Sequence, residues 1–404
     1  MNSKCKKNIA VIGGGPAGCM AAITACENNE NEIVIFDKND VLKTLLPTGG
    51  GRCNLAFSEF DFKELTKFYP RGEKFLYSVF SKFSTADTID FFKKIGIKTY
   101  TQVDKRIFPV SDSSLDVIKA MQKQLKKLNI SLEQDEVTGV EKTENGFYVL
   151  TKHNKYKFDI VIIATGGRGS GHKLAKNLGH TICDLRPALS SLKILETHLS
   201  GLAGVSMKDV SADIYFQNKK QKTVRGDLLF THNGISGPFA YKISSYFTYC
   251  DFNKENPLTI KLNFVGKTFE SFDKEFMEIL NCNAQKEIHT IVSQYIPKSL
   301  TDNMLQINNV DDKIKCGQLS KKDRQIISKN LTEFTIKAVD ITRGEEIVTA
   351  GGVKLSEIDA KTMCSKLVDD LYFCGEIIDV DGLTGGFNLQ NCWSTGFVVG
   401  KSLL

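Results

Sequence analysis

Residues 8–38 read NIAVIGGGPAGCMAAITACENNENEIVIFDK. The apolar runs Ile9–Ile12 and Glu32–Phe36 are rich in β-branched residues, which is typical of buried parallel strands. Between these two runs, Met20–Ala25 has the composition of a helix. The stretch therefore predicts a βαβ unit of about 30 residues, which is the building block of a Rossmann-like α/β sheet.

The turn that joins the first strand to the helix carries the pattern G-x-G-x-x-G. Gly13 allows the tight turn, Gly15 lets the backbone approach a pyrophosphate, and Gly18 lets the helix pack closely on the strand. The free N–H groups of the first helical turn then face the phosphates. Asp37 ends the second strand 19 residues after Gly18, where a carboxylate binds the hydroxyl pair of a ribose. The unit predicts dinucleotide binding, although the motif alone does not separate FAD from NAD.

The composition narrows the class of protein. The chain has 404 residues, of which 41% are hydrophobic and 25% charged, as in a soluble globular protein of two or three domains. The net charge of +6 permits an acidic partner such as RNA and does not require one. The 11 cysteines form no C-x-x-C pair, which argues against a metal site, an iron–sulfur cluster and a disulfide framework. We also expect no signal peptide and no membrane span, and hence a cytoplasmic protein.

A second glycine-rich loop follows the βαβ unit and reads TGGGRCN at Thr48–Asn54. Its glycines, Gly50 and Gly51 among them, allow a close approach of the backbone to a ligand. Arg52 is suited to pair with a phosphate or a carboxylate. Cys53 is open to two interpretations, a proton donor or a packed small side chain. The loop therefore predicts contact with a ligand, and Cys53 is the candidate acid.

Three later segments have the features of a ligand-facing sheet edge. Residues 159–167 read DIVIIATGG, a buried strand that ends in a glycine turn where ligands sit in open α/β sheets. The apolar strand Leu371–Cys374 is followed directly by Gly375 and Glu376. A glycine-rich turn at 379–390 then opens a helix whose N-terminus favours an anion. Both ends of the chain thus predict nucleotide-binding geometry.

The middle of the chain has a different composition. Leu189–Phe216 and Lys219–Phe230 predict short strands separated by turns, which is typical of an all-β insert. Residues 269–324 predict polar helices with clusters of basic residues. We therefore expect the middle to be inserted between two halves of one nucleotide-binding domain.

Five motifs, taken in order along the chain, resemble the marks of one family, the BaiN-type, aminoacetone-oxidase-like FAD flavoproteins. The resemblance covers essentially the whole chain, and five motifs in order are far more specific than a lone glycine loop. The motifs are TGGGRCN at Thr48–Asn54, RIFPVS at Arg106–Ser111, FTHNGISGP at Phe230–Pro238, TAGGV at Thr349–Val353 and GEIIDVDG at Gly375–Gly382.

The resemblance implies an α/β architecture, a Rossmann-like flavoprotein fold of the two-dinucleotide-binding-domain type, with two inserted parts. Residues 1–187 and 338–404 would form the FAD-binding domain. Residues 188–268 and 325–337 would form a β-barrel-like insert, and 269–324 a small helical domain nested in it.

The resemblance also assigns FAD to both ends of the chain. The first glycine motif and Asp37 would hold the ADP portion, and Gly50–Asn54 would lie near the flavin. Glu376 would lie by the ribityl chain, and Gly386–Leu389 by the pyrophosphate and the ring. The full set of predicted cofactor-binding residues is Gly13, Gly15, Pro16, Ala17, Gly18, Asp37, Lys38, Gly50, Gly51, Arg52, Cys53, Asn54, Val137 (whose strand can offer its backbone to the adenine), Ala164, Thr165, Gly166, Gly375, Glu376, Gly386, Phe387, Asn388 and Leu389.

The resemblance leaves more than one activity open, because one fold supports several chemistries. We predict an FAD-dependent oxidoreductase that uses NADPH or NADH as a transient reductant and reduces an activated C=C bond. The leading substrate is uridine in 23S ribosomal RNA, favoured by the net charge and by the basic residues of 269–324. Cys53 would protonate the neighbouring carbon. The alternatives are an amine oxidase of small molecules such as aminoacetone, a reductase of a small enone, and a flavin-binding module without activity.

Overall fold

The computed structural model describes residues 6–27 and 31–404. The first five residues, which include Cys5, lie outside the described ranges. The expectation of no signal peptide falls mostly on these residues. The strands are, in chain order, β1 Asn8–Ile12, β2 Glu32–Phe36, β3 Ala56–Phe57, β4 Thr99–Thr101, β5 Arg106–Pro109, β6 Ser131–Glu133, β7 Val137–Thr143, β8 Gly146–Thr151, β9 Lys155–Phe158, β10 Ile160–Ile163, β11 Ile182–Ala188, β12 Leu192–Ile194, β13 Ser206–Phe216, β14 Lys219–Thr231, β15 Gly234–Ser236, β16 Leu258–Asn263, β17 Phe334–Ile341, β18 Val348–Val353 and β19 Leu371–Phe373.

Helices connect or cover these strands, and short 3₁₀ turns lie between several of them. None of the helices in the described residues is long and apolar enough to cross a bilayer. The α-helices are α1 Pro16–Ala25, α2 Phe62–Thr66, α3 Glu73–Phe80, α4 Thr85–Lys94, α5 Ser114–Lys127, α6 Gly171–Asn177, α7 Gly237–Phe247, α8 Phe269–Cys282, α9 Ile288–Val292, α10 Lys298–Ile307, α11 Lys321–Glu333 and α12 Phe387–Ser402.

The chain divides into two compact units, one of which combines the N-terminal part up to Arg186 with Val348–Leu404. Its centre is a parallel sheet in the order β19-β10-β1-β2-β6. The predicted βαβ unit lies at the middle of this sheet, as β1, α1 and β2. β1 and β10 are buried throughout except at Asn8, which explains why their sequences are continuous apolar runs. The Rossmann-like α/β class predicted from the sequence is confirmed.

Helix α1 packs against α12, the last helix of the chain, through small residues. A β-carbon placed on Gly396 would lie 2.4 Å from the carbonyl oxygen of Ala17, and one on Gly400 would lie 2.4 Å from the Cβ of Thr24. Two glycines one turn apart thus let the two backbones approach closely. This contact ties the C-terminal helix to the first glycine motif, so both ends of the chain build the same part of the unit.

Two antiparallel sheets of three strands also belong to the first unit, β3-β5-β4 and the meander β7-β8-β9, and β11 pairs with β18 in a sheet of two strands. β8 pairs with β9 in an antiparallel hairpin, and helix α5 is amphipathic. The four lysines of α5 face solvent. They are Lys119, Lys123, Lys126 and Lys127.

The second unit, Pro187–Ile347, contains a closed barrel in the order β12-β15-β14-β13-β16-β17. The prediction of short strands is wrong for β13 and β14, which have 11 and 13 residues. Two register shifts in this pair let a long ribbon twist. Helices α8 to α11 share one hydrophobic core with the barrel, and α11 runs to Glu333, beyond the predicted helical segment. The division into three domains with the predicted boundaries stays a prediction.

Candidate functional site: a dinucleotide cradle

Four neighbouring parallel strands end at one edge of the sheet, and each is followed by residues predicted to bind the cofactor. β1 runs into Gly13–Gly18, and β2 into Asp37 and Lys38. β10 is followed by Ala164–Gly166, and β19 by Cys374 and the turn Gly375–Ile377. Because the carboxyl ends of parallel strands meet at one edge, the fold brings together segments that are more than 300 residues apart in sequence.

The glycines of the first motif serve two different purposes. A β-carbon on Gly18 would lie 2.0 Å from the carbonyl oxygen of Gly13, and one on Gly13 would lie 2.5 Å from that of Ala164. These two glycines are therefore required by packing inside the chain. A β-carbon on Gly15 would meet nothing closer than the Oγ1 of Thr44 at 4.0 Å. The space above Gly15 is open, as a pyrophosphate at the N-terminus of α1 requires.

Asp37 is held in place at the end of β2. The backbone N–H of Gly14 donates to its Oδ2 at 2.8 Å, and the N–H of Asn39 donates to its Oδ1 at 2.8 Å. Each carboxylate oxygen keeps a lone pair for a further donor. The carboxylate is thus oriented toward the glycine turn, where a ribose would lie, while Lys38 next to it is exposed.

The loop Thr48–Asn54 lies against the start of α12. Gly50 has φ +69°, and no atom of the described residues lies within 4 Å of the position of its β-carbon. The Oδ1 of Asn54 is buried and has no hydrogen-bond partner among the described residues. A β-carbon on Gly386, the residue before α12, would lie 2.9 Å from this oxygen. The loop therefore presents an open glycine and an unpaired acceptor beside a helix N-terminus.

Arg52 and Cys53 differ in their surroundings. The guanidinium of Arg52 lies 4.2 Å from the ring centroid of Phe108 and 3.9 Å from the carboxylate of Asp112. Cys53 has no exposed surface, a positive φ of 62°, and a backbone N–H that donates to Thr48 at 2.9 Å. Burial raises the pKa of the Cys53 thiol to about 11, with a hydrogen bond to Thr48 opposing the shift. The thiol therefore carries its proton at neutral pH.

Four further predicted residues differ in their surroundings. Thr165, after β10, has a buried Oγ1 without a partner among the described residues, and no atom lies within 4 Å of where the β-carbon of Gly166 would be. Val137 is buried at the start of β7. The side chain of Asn388, in contrast, forms hydrogen bonds within the protein. Its Oδ1 accepts from the N–H of Gly382 at 2.8 Å, and its Nδ2 donates to the carbonyl oxygen of Gly382 at 2.9 Å.

Glu376 is a half-buried carboxyl group in the turn after β19. Burial raises its pKa from the ordinary 4.5 to about 7, the carboxylate of Asp381 adds to the shift, and Arg168 opposes it. A carboxyl group with this pKa is partly protonated at neutral pH. It can therefore donate as well as accept a hydrogen bond toward a polyol such as a ribityl chain.

The raised pKa predicts a pH dependence of stability. Since the folded state favours the protonated acid, the apoprotein should lose stability as the pH rises from about 4.5 to about 7. Glu376→Gln removes this contribution because the amide does not ionise. In urea unfolding of the apoprotein, the free energy of unfolding of the variant should increase relative to that of the wild type as the pH rises from 5 to 7.5. An equal difference at both pH values would contradict the assignment.

The described residues fit FAD on two observations. Positions over Gly15, Gly50 and Gly166 are open, although the chain packs tightly around Gly13 and Gly18. Asn54 and Thr165 keep buried polar atoms unpaired, which is costly unless a ligand or a water completes them. Open glycines and unpaired polar groups thus coincide at the predicted cofactor positions.

Sequence reasoning missed three features of this region. Arg71 and Asp381 form a buried ion pair across 310 positions, for which a single sequence carries no signal. The Oγ1 of Thr395 accepts the N–H of Gly375 at 2.9 Å and so fixes the turn before Glu376. Asn391 on α12 is fully buried, and neither atom of its amide has a partner among the described residues. An asparagine in the second turn of the C-terminal helix was the available signal for this last residue.

A family model described as the HI0933-like protein Rossmann domain matches residues 7–402. The chain belongs to the HI0933-like family. This membership confirms the family resemblance drawn from the five motifs and makes the protein an FAD-dependent oxidoreductase. Which substrate and which reductant this HI0933-like protein uses are separate questions.

Two curated relatives align with nearly the whole HI0933-like chain. The 3-dehydro-bile acid delta(4,6)-reductase of Clostridium scindens is 26% identical and covers 98% of each chain. The ribosomal RNA dihydrouridine synthase of Escherichia coli is 28% identical, over 98% of this chain and 97% of that protein. Among solved structures, a mutant of E. coli quinol fumarate reductase FrdA superimposes with a TM-score of 0.51 at 13% identity, covering 98% of this chain and 70% of that chain, which shows a shared fold.

Proposed function

We propose that this protein uses NADPH or NADH to reduce a carbon–carbon double bond conjugated to a carbonyl group, and that its substrate is uridine in ribosomal RNA. The observation that carries the proposal is the chemistry shared by two relatives. A reductase of a dehydro-bile acid and a dihydrouridine synthase, by their names, both add two hydrogens across such a bond. Each aligns with the segments that build the cradle, so the same chemistry is the simplest activity for this chain.

In this proposal the protein's own residues bind, orient and protonate. FAD, when bound, supplies the hydride chemistry that side chains lack. The N–H groups at the start of α1, above Gly15, would hold the phosphates of FAD, and the carboxylate of Asp37 would accept hydrogen bonds from ribose hydroxyls. The thiol of Cys53, which keeps its proton at neutral pH, donates that proton to the carbon next to the reduced one. Because FAD would occupy the cradle formed by G-x-G-x-x-G, the nicotinamide nucleotide would bind only transiently, as a reductant.

The substrate assay uses purified holoenzyme with ribosomal RNA from an E. coli strain that lacks its own ribosomal RNA dihydrouridine synthase. With NADPH or NADH present, mass spectrometry of the digested RNA should show dihydrouridine. Cys53→Ala should retain FAD and should form dihydrouridine about 100-fold more slowly, the usual effect of losing a general acid. Cys282→Ala, at an exposed cysteine on α8, is the matched control and should behave as wild type.

The outcomes separate the roles. An unchanged rate in Cys53→Ala would show that Cys53 is not the proton donor, and it would leave the substrate proposal standing. Absence of dihydrouridine with every RNA tested would overturn the substrate proposal.

A second candidate is a reductase of a small enone, and the full-length match to the bile-acid reductase favours it. It predicts NADPH- or NADH-dependent loss of the enone absorbance of a 3-keto steroid, at a rate that added RNA does not change. An amine oxidase, in contrast, would release hydrogen peroxide from an amine without any nicotinamide nucleotide. These two readouts distinguish the candidates with the same protein preparation.

A further inference from the structure

The two parts of the second unit differ in net charge. Residues 269–324, the helical segment, carry eight lysines and arginines and nine aspartates and glutamates. Its basic clusters are therefore balanced by acids, and the segment has no surplus of positive charge. Residues 188–268, which contain most of the barrel, carry ten basic and six acidic residues. The surplus lies on the barrel.

Within the barrel, the surplus is concentrated on the hairpin of β13 and β14. The stretch Gln217–Arg225 reads QNKKQKTVR and contains four basic residues and no acid. Gln217 and Asn218 both have positive φ, 50° and 60°, as in the tight two-residue turn of type I′. All side chains from Gln217 to Thr223 are exposed. The hairpin therefore holds a basic tip in solvent on a well-defined turn.

The basic side chains of the hairpin differ in how they are neutralised. Lys220 pairs with Asp213 at 2.7 Å, and Arg225 pairs with Asp209 at the base of the hairpin. Lys219 makes no ion pair with any described residue. Lys222 lies 3.8 Å over the ring centroid of Tyr246 on α7 and likewise has no acidic partner in the described chain. The uncompensated charge is thus at Lys219 and Lys222, close to the turn.

Two lysine ammoniums in this part of the barrel lie near tyrosine rings. Tyr246 carries Lys222 on its face, and Tyr215 lies 5.2 Å from the ammonium of Lys261 on the neighbouring strand β16. Lysines bind RNA phosphates, so the two uncompensated charges at the tip complement the charge of the RNA in the proposed function.

We propose that the tip of the β13–β14 hairpin is the docking element that holds structured RNA through its phosphates. The inference deepens the proposed function and rests on it, since it names the surface that binds the RNA substrate. Contacts of lysines to phosphates position a nucleic acid without reading its sequence. The hairpin would therefore contribute to the affinity for RNA and would not select the uridine that is reduced.

The test compares two double charge reversals in FAD-loaded protein. Lys219→Glu with Lys222→Glu changes the hairpin without leaving an acid unpaired. Lys321→Glu with Lys322→Glu changes the net charge equally at two exposed positions in the first turn of α11, where acids are favourable. The probe is in vitro transcribed 23S ribosomal RNA, and binding is measured from 50 to 250 mM salt.

We expect the hairpin reversal to weaken binding at least about tenfold and to lower the salt slope by about 1 to 2, the loss of two phosphate contacts. The α11 reversal should bind within about twofold of wild type. Lys219→Gln with Lys222→Gln, a milder change, should give an intermediate affinity. Flavin absorbance and thermal unfolding verify that each variant is folded and loaded.

The outcomes separate this inference from the proposed function. If the wild type forms dihydrouridine and the hairpin reversal binds and reacts as the wild type does, the hairpin is not the docking element, and the function stands. Equal weakening by both reversals would also overturn the hairpin assignment, because only net charge would matter. If the wild type binds no RNA at 50 mM salt and forms no dihydrouridine, both proposals fail together.

Discussion

Replacement of Gly15 by valine is expected to abolish FAD binding and leave the apoprotein folded. The backbone of Gly15 has φ −75° and ψ −175°, a conformation open to any residue, so the substitution causes no strain. Among the described residues, no atom lies closer than 4.0 Å to a β-carbon at this position. The described chain therefore gives no reason for glycine here other than the approach of a ligand to the backbone. A valine side chain occupies that space and should weaken FAD binding at least about 100-fold, or roughly 2.7 kcal/mol.

The measurement is a titration of apoprotein with FAD, followed by flavin fluorescence, beside thermal unfolding of the apoprotein. Gly201→Val is the matched control, because a β-carbon there also meets nothing within 4 Å and lies in the second unit. Gly18→Ala gives the opposite pattern, with loss of stability, because its β-carbon would lie 2.0 Å from a backbone oxygen. FAD affinity within about twofold of wild type in Gly15→Val would contradict the cradle.

Removal of the Arg71 side chain should destabilise the first unit more than removal of an exposed charged side chain does. The guanidinium of Arg71 contacts both carboxylate oxygens of Asp381, which has no exposed surface. Arg71→Met leaves that carboxylate buried without its counterion, which typically costs about 3 to 5 kcal/mol. Urea unfolding of the apoprotein should show this loss.

The control for this prediction breaks an exposed pair. Lys67→Met removes the ion pair with Glu64, whose side chains are both more than half exposed, and should change the free energy of unfolding by less than about 1 kcal/mol. Arg71→Met combined with Asp381→Leu should recover part of the loss, since no buried charge then remains. A loss below about 1 kcal/mol in Arg71→Met would show that Asp381 is neutralised in another way.

The first half of the cradle follows from the sequence because its signals are local. Strand, turn and helix at 8–38 lie in one stretch, and the purpose of each glycine follows from its place in the motif. Gly15 and Gly18 show this well, since the structure gives one an open side and the other a tight contact. Local backbone requirements of this kind need no knowledge of distant residues.

Features that depend on which residues pair in the folded chain could not be predicted from the sequence. The side chain of Asn388 bonds the backbone of Gly382, so only its backbone remains for a ligand. The pair of Arg71 and Asp381 joins segments that only the folded sheet brings together. The length of β13 and β14 was also missed, because the register of each strand on its partner cannot be derived from a single sequence.

The central claim is that this HI0933-like protein reduces uridine in ribosomal RNA, and one measurement tests it most directly. The gene is deleted in its host, and dihydrouridine in purified 23S ribosomal RNA is measured by mass spectrometry. The account predicts that one dihydrouridine is lost, that wild-type protein restores it, and that Gly15→Val, which does not hold FAD, fails to restore it. An RNA profile unchanged by the deletion would contradict the claim and direct the search to a small enone substrate.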